Sequence, residues 1–448
     1  MRLLRRPSPL QLPAAGAAAP ATSPYGGTPA RKPRIALYSP GMVGLGHMRR
    51  NLLIAQAIAG SALAPAVLLI CEARQVSSFA IPAGVDCLTL PALRKDLHGQ
   101  CEPRYLDVSL QKLTAMRAQA IRGMLEAFEP DVLIVDHLPH GALGELDPTL
   151  HFLRARGQTR CVLGLRDVLE SPETVQREWR LAANDDAIRA YYDAVWIYGD
   201  PAVYDQVREY HFAADIAQKV RYTGYLDQRE RASLANDSAQ LLASLDLPPG
   251  RLALCLVGGG QDGAALAQAF AAASLPPNTN GLILAGPFMP AQAYQRLCGI
   301  VAGNPRLRLI DFLPEPTMLL RHADRVVAMG GYNTVAELLS FQKHALIVPR
   351  THPRREQLIR AERLSDLRLL DLLPAEAVTP AALTDWLARD LGAAPPVHER
   401  INMRGLACLP GLLGELLGYQ PSMQQHRQLL MRDDLLQRVS GPWMLPAC

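Results

Sequence analysis

The chain has 448 residues, 49% of them hydrophobic and 20% charged, which suits two or three globular domains with sizeable cores. The net charge of +4 is concentrated at one end: residues 1–34 hold Arg2, Arg5, Arg6, Arg31, Lys32 and Arg34 and no acid, and without those six the remainder stands at −2. A nucleic-acid partner therefore gains no support from bulk charge, and none is expected. Eight cysteines form no CxxC pair and have no His cluster near them, which argues against a disulfide framework or a structural zinc and for a reducing cytoplasm. The longest apolar stretches, such as Ala62–Cys71, reach half of the roughly 20 residues a membrane-spanning helix needs.

Residues 1–33 are rich in Ala, Pro, Gly and Ser. They bear arginines and lack acids as targeting peptides do, but prolines interrupt the apolar part, so a disordered tail is expected. Structure starts at "RIALYS" (Arg34–Ser39). Strand-like runs then alternate with helical stretches. "APAVLLIC" (Ala64–Cys71), "DVLIVD" (Asp131–Asp136), "RCVLGLRD" (Arg160–Asp167) and "AVWIYGD" (Ala194–Asp200) read as buried strands, and Ser109–Pro130 has a helical period. A polar stretch, 226–250, ends in Pro248, Pro249 and Gly250 and reads as a linker. The alternation restarts with "RLALCLVGGG", "GLILAGP", "LRLIDF", "DRVVAMGG" and "HALIVPR". Such alternation implies βαβ units and parallel sheets, hence an α/β fold with domains at 34–225 and 251–395 and a helical extension at 396–448.

Ligands of open parallel sheets bind beyond the carboxyl ends of the strands, so the strand-end residues carry the functional candidates. In "SPGMVGLGHMRRNLLIAQAIA", Gly44 and Gly46 allow close backbone approach and His47 falls at a helix start. The positive helix end favours neutral imidazole, which suits a base, although a His that only caps the helix fits the same pattern. Arg49 and Arg50 either meet a phosphate or are solvated or paired. "LVGGGQDG" sets Gly258, Gly259 and Gly260 between a strand and an Ala-rich helix. That is an anion site or a flexible turn, and it is neither a Walker loop nor GxGxxG.

"MGGYNTVAELLSF" has the same form. Gly330 and Gly331 end a strand, and Asn333 or Thr334 is placed to cap the next helix. Glu337 lies three residues beyond Thr334, as in a capping box, yet its two oxygens equally suit a ribose diol; spacing does not separate the two. Glu356 and Gln357 open a helix just past "HALIVPR" and suit sugar hydroxyls, while Arg354 and Arg355 read as a solvated turn. Asp136–His137 and Arg166–Asp167 each end a buried run, as cleft residues or ordinary ion pairs do. No D-x-D occurs in the chain, so a carboxylate-held divalent metal has no obvious seat.

"GGYNTVAELLSFQKHALIVPR" followed by "REQLIRAERL" resembles the carboxyl-domain signature of GT-B glycosyltransferases of family 28. "VGLGHMRRNLLIAQAI" is similar to the loop that opens their other domain. "DVLIVDHLPHGALGEL", "LGLRDVLESPE" and "WIYGDPAVYD" look like those of a bacterial group of predicted glycosyltransferases. The resemblance spans about residues 34–370. It implies two Rossmann-like domains facing across a cleft, and an inverting hexosyltransferase that uses a nucleoside diphosphate sugar, UDP-linked, without metal or cofactor. Glu337 would take the ribose. Gly258, Gly259, Gly260, Gly331, Asn333 and Thr334 would surround the diphosphate, with Gln261 in the same donor set. Phe312 and Leu313 would lie near the base, and Glu356 and Gln357 would hold the donor sugar, with Glu356 standing where the family usually has Asp. His47 or Asp136 would act as base. Gly44, Gly46, His137, Arg166 and Asp167 would face the acceptor or a phosphate. The acceptor is a saccharide, a lipid or a small molecule. The expected location is the cytoplasm, with peripheral contact at the inner membrane face through the basic tail. The loop Gly44-x-Gly46-His47-x-x-Arg50 also resembles that of the nucleotide-sugar hydrolase of pseudaminate synthesis. A non-catalytic nucleotide-sugar-binding protein is the remaining alternative.

Overall fold

The structure, a computed structural model, describes residues 31–41, 46–72, 81–95, 101–229, 242–313 and 315–419. The predicted tail up to residue 30, Gly44, the middle of the predicted linker and everything beyond residue 419 lie outside the described residues.

Seven strands make the first sheet: β1 (Arg34–Tyr38), β2 (Ala66–Cys71), β3 (Val85–Thr89), β6 (Val132–Asp136), β7 (Arg160–Arg166), β8 (Ala194–Tyr198) and β9 (Val220–Tyr222). Between β3 and β6 lies a small antiparallel pair, β4 (Leu93–Lys95) and β5 (Cys101–Pro103). The seven are parallel, in the order β3-β2-β1-β6-β7-β8-β9. The second sheet holds β10 (Arg251–Leu256), β11 (Thr279–Leu284), β12 (Leu307–Ile310), β13 (Arg325–Ala328), β14 (His344–Ile347) and β15 (Asp371–Leu372). It too is parallel, in the order β12-β11-β10-β13-β14-β15.

The central strands are apolar on both faces because helices cover both. Ile35, Leu37, Leu133, Val135, Leu163 and Ile197 in one lobe, and Leu254, Cys255, Ile283, Val327 and Ile347 in the other, have no exposed surface. Burial of this kind stabilises by about 1.5–3 kcal/mol per large aliphatic side chain. The helix Leu110–Phe128 shows how local signals delimit an element. Ser109 caps it by accepting from the Lys112 N–H at 3.2 Å, and Glu129 ends it in the left-handed region. Its buried stripe is Leu113, Arg117, Ile121 and Leu125. Arg117 is tolerated there because its guanidinium pairs with Glu72 and Glu145 at 2.8 and 2.7 Å.

In each sheet the chain reverses its direction of winding between the first and fourth strands, β1/β6 and β10/β13. A crevice opens beyond the carboxyl ends at such a switch point. The last helix, Gly405–Leu416, returns to the first lobe and packs on the helix Gly46–Ala59. It is fastened by Tyr225 N–H to Asn402 O at 2.8 Å and by Gly405 N–H to Tyr225 O at 3.0 Å.

Candidate active site

The first wall is built at the β1/β6 switch point. After β1 the chain enters the helix Gly46–Ala59, which brings His47, Arg50 and Asn51 over the end of β6. Asp136, the last residue of β6, is only 1% exposed and receives all three: His47 Nδ1 lies 2.7 Å from it, Arg50 Nη2 2.7 Å and Asn51 Nδ2 3.0 Å. Burial alone would raise the Asp136 carboxyl, but Arg50 and His47 outweigh it and hold it well below the usual carboxylate range. Asp136 is thus a fixed anion that orients the imidazole with its Nδ1–H toward the carboxylate, leaving Nε2 for an incoming proton. Burial lowers the His47 pKa from 6.5, against the opposing pull of Asp136. His137 stacks obliquely on His47 with centroids 5.5 Å apart, and burial together with Arg166 and His47 keeps it neutral.

The second wall comes from the loops after β10, β13 and β14. Gly258 (φ 62°) and Gly260 (φ 89°) take left-handed conformations, and a Cβ on Gly260 would meet the Ala285 carbonyl at 2.1 Å. Glycine is required there because the turn folds directly against the β11 end. The helix Tyr332–Ser340 begins with Gly331 as its N-cap and has no side-chain cap. This corrects the expected cap at Asn333 or Thr334 and removes the capping box: Thr334 is inside the helix, so its Oγ cannot serve the first turn. Glu337 instead turns to the cleft, where its Oε1 accepts from Arg49 of the first lobe at 2.7 Å. Asn333 also reaches across, donating to the Gly46 carbonyl at 2.9 Å. The uncapped first-turn N–H groups therefore face the cleft, the arrangement that favours an anion.

Glu356 and Gln357 begin the helix Glu356–Asp366. Gln357 Oε1 accepts from the Gly330 and Arg350 N–H groups at 3.1 and 3.3 Å, tying two strand ends together. Glu356 pairs with Arg350 through Oε1 at 2.9 Å, while its Oε2 is buried without a hydrogen-bond partner. Arg354 and Arg355 are more than a solvated turn: Arg354 pairs with Glu178 and the Arg355 N–H donates to Glu170, both of the first lobe.

Between the walls lies a cavity of about 330 Å³. Gly46, His47 and Arg166 line it from the first lobe, and Gly258, Gly259, Phe312, Leu313, Gly331, Asn333, Thr334, Glu337, Glu356 and Gln357 from the second. Asp136, His137, Asp167, Gly260 and Gln261 are not on its lining. Asp136 stands behind His47, and Asp167 pairs with Arg360, which is fully buried, at 2.7 Å, and accepts from the Tyr225 hydroxyl at 2.8 Å. Neither dipeptide, Asp136–His137 or Arg166–Asp167, pairs internally; each acid finds a distant arginine. The arginines were the functional residues least legible in the sequence. Arg49, Arg50 and Arg350 also line the cavity; the sequence offered Arg49 and Arg50 as phosphate contacts or as solvated or paired residues, and nothing in it marked Arg350. Among the described residues no three His, Cys, Asp or Glu side chains come together to hold a metal ion, and no helix is long and apolar enough to cross a membrane.

Two parallel Rossmann-like lobes with a ligand-sized cavity between them have the GT-B architecture. Residues 254–391 match the family model of the glycosyltransferase family 28 C-terminal domain. Solved structures similar to this chain over nearly its whole described length include the glycotransferase of kitacinnamycin (15% identity, 86% of this chain and 98% of the other, TM-score 0.56). Others are the calicheamicin glycosyltransferase CalG4 (14%, 87% and 99%, 0.55) and the Neisseria meningitidis UDP-GlcNAc 2-epimerase bound to UDP-GlcNAc (14%, 86% and 99%, 0.56). Likeness at such identities establishes the fold. Comparison with curated proteins gives no match. Fold and domain together describe the chain: a GT-B architecture whose second lobe matches the glycosyltransferase family 28 C-terminal domain.

Proposed function

We propose that the protein transfers a hexosyl group from a UDP-sugar to an acceptor hydroxyl, with inversion and without a metal ion. One observation carries this reading: an imidazole backed by a buried carboxylate, His47–Asp136, shares a single cavity with an uncapped helix start and the carboxylates Glu337 and Glu356. The first-turn N–H groups of Tyr332–Ser340 and the Gly258–Gly259 turn suit a diphosphate. Glu337 suits the ribose diol, and the unpartnered Glu356 Oε2 suits a sugar hydroxyl. Phe312 and Leu313 supply the apolar surface for the base.

In this mechanism the acceptor hydroxyl gives its proton to His47 Nε2 as its oxygen attacks the anomeric carbon. The bond from that carbon to the diphosphate oxygen breaks, and its electron pair leaves with the nucleoside diphosphate. The helix end and backbone N–H groups stabilise the developing charge. Asp136 stabilises the imidazolium without taking the proton. Attack opposite the leaving group inverts the anomeric configuration. Metal independence is the expectation that the resemblance and the missing D-x-D carry, and turnover in EDTA tests it.

The fold also serves a UDP-GlcNAc 2-epimerase, so the test must read the reaction. Thermal shifts with UDP, GDP and TDP, and then with their sugars, rank base and sugar by mass action. Turnover is followed as nucleotide release with and without acceptor candidates. Release that requires an acceptor and persists in EDTA is the expected result. Stoichiometric free sugar without an acceptor would overturn the transferase reading in favour of a hydrolase, and sugar binding without any turnover would leave a binding protein.

A further inference from the structure

Four arginines line the cavity, and three of them have carboxylates. Arg49 pairs with Glu337, Arg50 with Asp136, and Arg350 with Glu356 and Asp262. The fourth, Arg166, has no carboxylate within ion-pair distance among the described residues. Its Nη2 donates to the Leu169 carbonyl at 3.1 Å, and its Nε is buried with no hydrogen-bond partner. Burial pulls its guanidinium down to about 10, so it is still a cation at neutral pH. A buried cation with no direct ion pair is costly, and natural sites keep one where a ligand supplies the contact.

Its position says which ligand. Arg166 ends β7 on the first-lobe wall, whereas the backbone groups suited to the diphosphate belong to the second lobe. It is coupled electrostatically both to His47 and to Glu356, that is, to the proton acceptor and to the carboxylate suited to the donor sugar. The surrounding field is mixed. His137, His47, Arg50 and Arg360 face it as neutral or cationic groups, Asp167 as an acid paired with Arg360, and Glu356 as an acid whose charge it shares with Arg350. An added negative charge at this point therefore meets a net cationic environment.

We propose that Arg166 binds a carboxylate or phosphate of the acceptor, so that the protein selects an anionic acceptor and holds its hydroxyl near His47. This rests on the glycosyltransferase reading. The test is a thermal-shift titration of the full chain, with and without UDP, against matched pairs: glycerol 3-phosphate with glycerol, and glucuronate with glucose. The charged member of at least one pair is expected to raise Tm where its neutral partner does not. Arg166→Gln should abolish that shift and Arg166→Lys should keep part of it, while the UDP shift is unchanged in both. Equal shifts within every pair, or a charged-member shift that survives in Arg166→Gln, would overturn the proposal. Loss of the UDP shift in Arg166→Gln would also overturn it, moving Arg166 to the donor diphosphate. Should Arg166→Gln not fold, Arg166→Lys reads the same outcomes in weakened form. Failure of UDP to bind the wild type sinks the nucleotide-sugar reading, and the UDP-free arm still decides whether Arg166 holds an anion.

Discussion

His47 and Glu337 carry opposite halves of the proposed reaction, and their substitutions should part accordingly. His47→Ala removes the proton acceptor, so turnover is expected to fall by about 10²–10⁴-fold, with UDP affinity unchanged in calorimetry. Glu337→Ala removes charge-assisted hydrogen bonds worth about 1.5–3 kcal/mol, so UDP affinity should fall roughly ten- to hundredfold. The pH profile follows from His47 needing to be neutral. Burial lowers its pKa from 6.5, so the rate should be level around neutral pH and decline only below pH 6.5, as the ring gains its proton. The Asp136 carboxylate raises that pKa; Asp136→Asn should therefore move the acid limb to still lower pH and also slow the plateau. An acid limb that moves upward instead would remove Asp136 from its role behind the imidazole.

The elements that hold these residues are strand-to-helix turns, and glycine makes the turns possible. Gly260 combines φ 89° with a Cβ position 2.1 Å from the Ala285 carbonyl. Gly260→Ala should cost about 1–3 kcal/mol in backbone strain, measured by chemical denaturation, and should weaken UDP binding because the neighbouring Gly258–Gly259 backbone must shift. Gly331 provides the contrast, since an added Cβ there meets nothing within 4 Å and its φ of −63° is ordinary for any residue. Gly331→Ala should then leave stability nearly unchanged. The sequence showed both glycine clusters at strand ends but not which glycine was obligatory, because steric need depends on the strand packed alongside.

At the scale of the molecule the two lobes are joined by buried polar contacts. Arg360 and Asp167 are 0% and 1% exposed and bonded through two guanidinium nitrogens, and Arg360 also donates to the Gly330 carbonyl at 2.8 Å. Tyr332 donates to the Tyr198 carbonyl at 2.8 Å, with the Arg50 and Arg360 guanidiniums 5.5 and 5.8 Å from its ring centre. Removing one partner of such a pair leaves an uncompensated buried charge. Arg360→Ala is therefore expected to cost about 3–5 kcal/mol, and Asp167→Asn combined with Arg360→Met should recover much of it in denaturant midpoint. If the double variant is no more stable than Arg360→Ala, the pair is not the joint between the lobes.

The sequence by itself determined the alternating α/β plan, the strand ends that carry the ligand residues and the family signature around Glu337. Those are local properties: apolar runs of strand length, helical periods and glycine turns. It left undecided whether Glu337 served its own helix or the cleft. It also hid the partners of Asp136 and Asp167, which lie in other elements. Only the tertiary structure decided these, because an ion pair between Arg360 and Asp167, 193 positions apart, leaves no trace in local spacing. The same holds for the absence of such a pair at Arg166. Charge compensation is a property of the folded neighbourhood, and two lobes had to close on one cavity before it could be read.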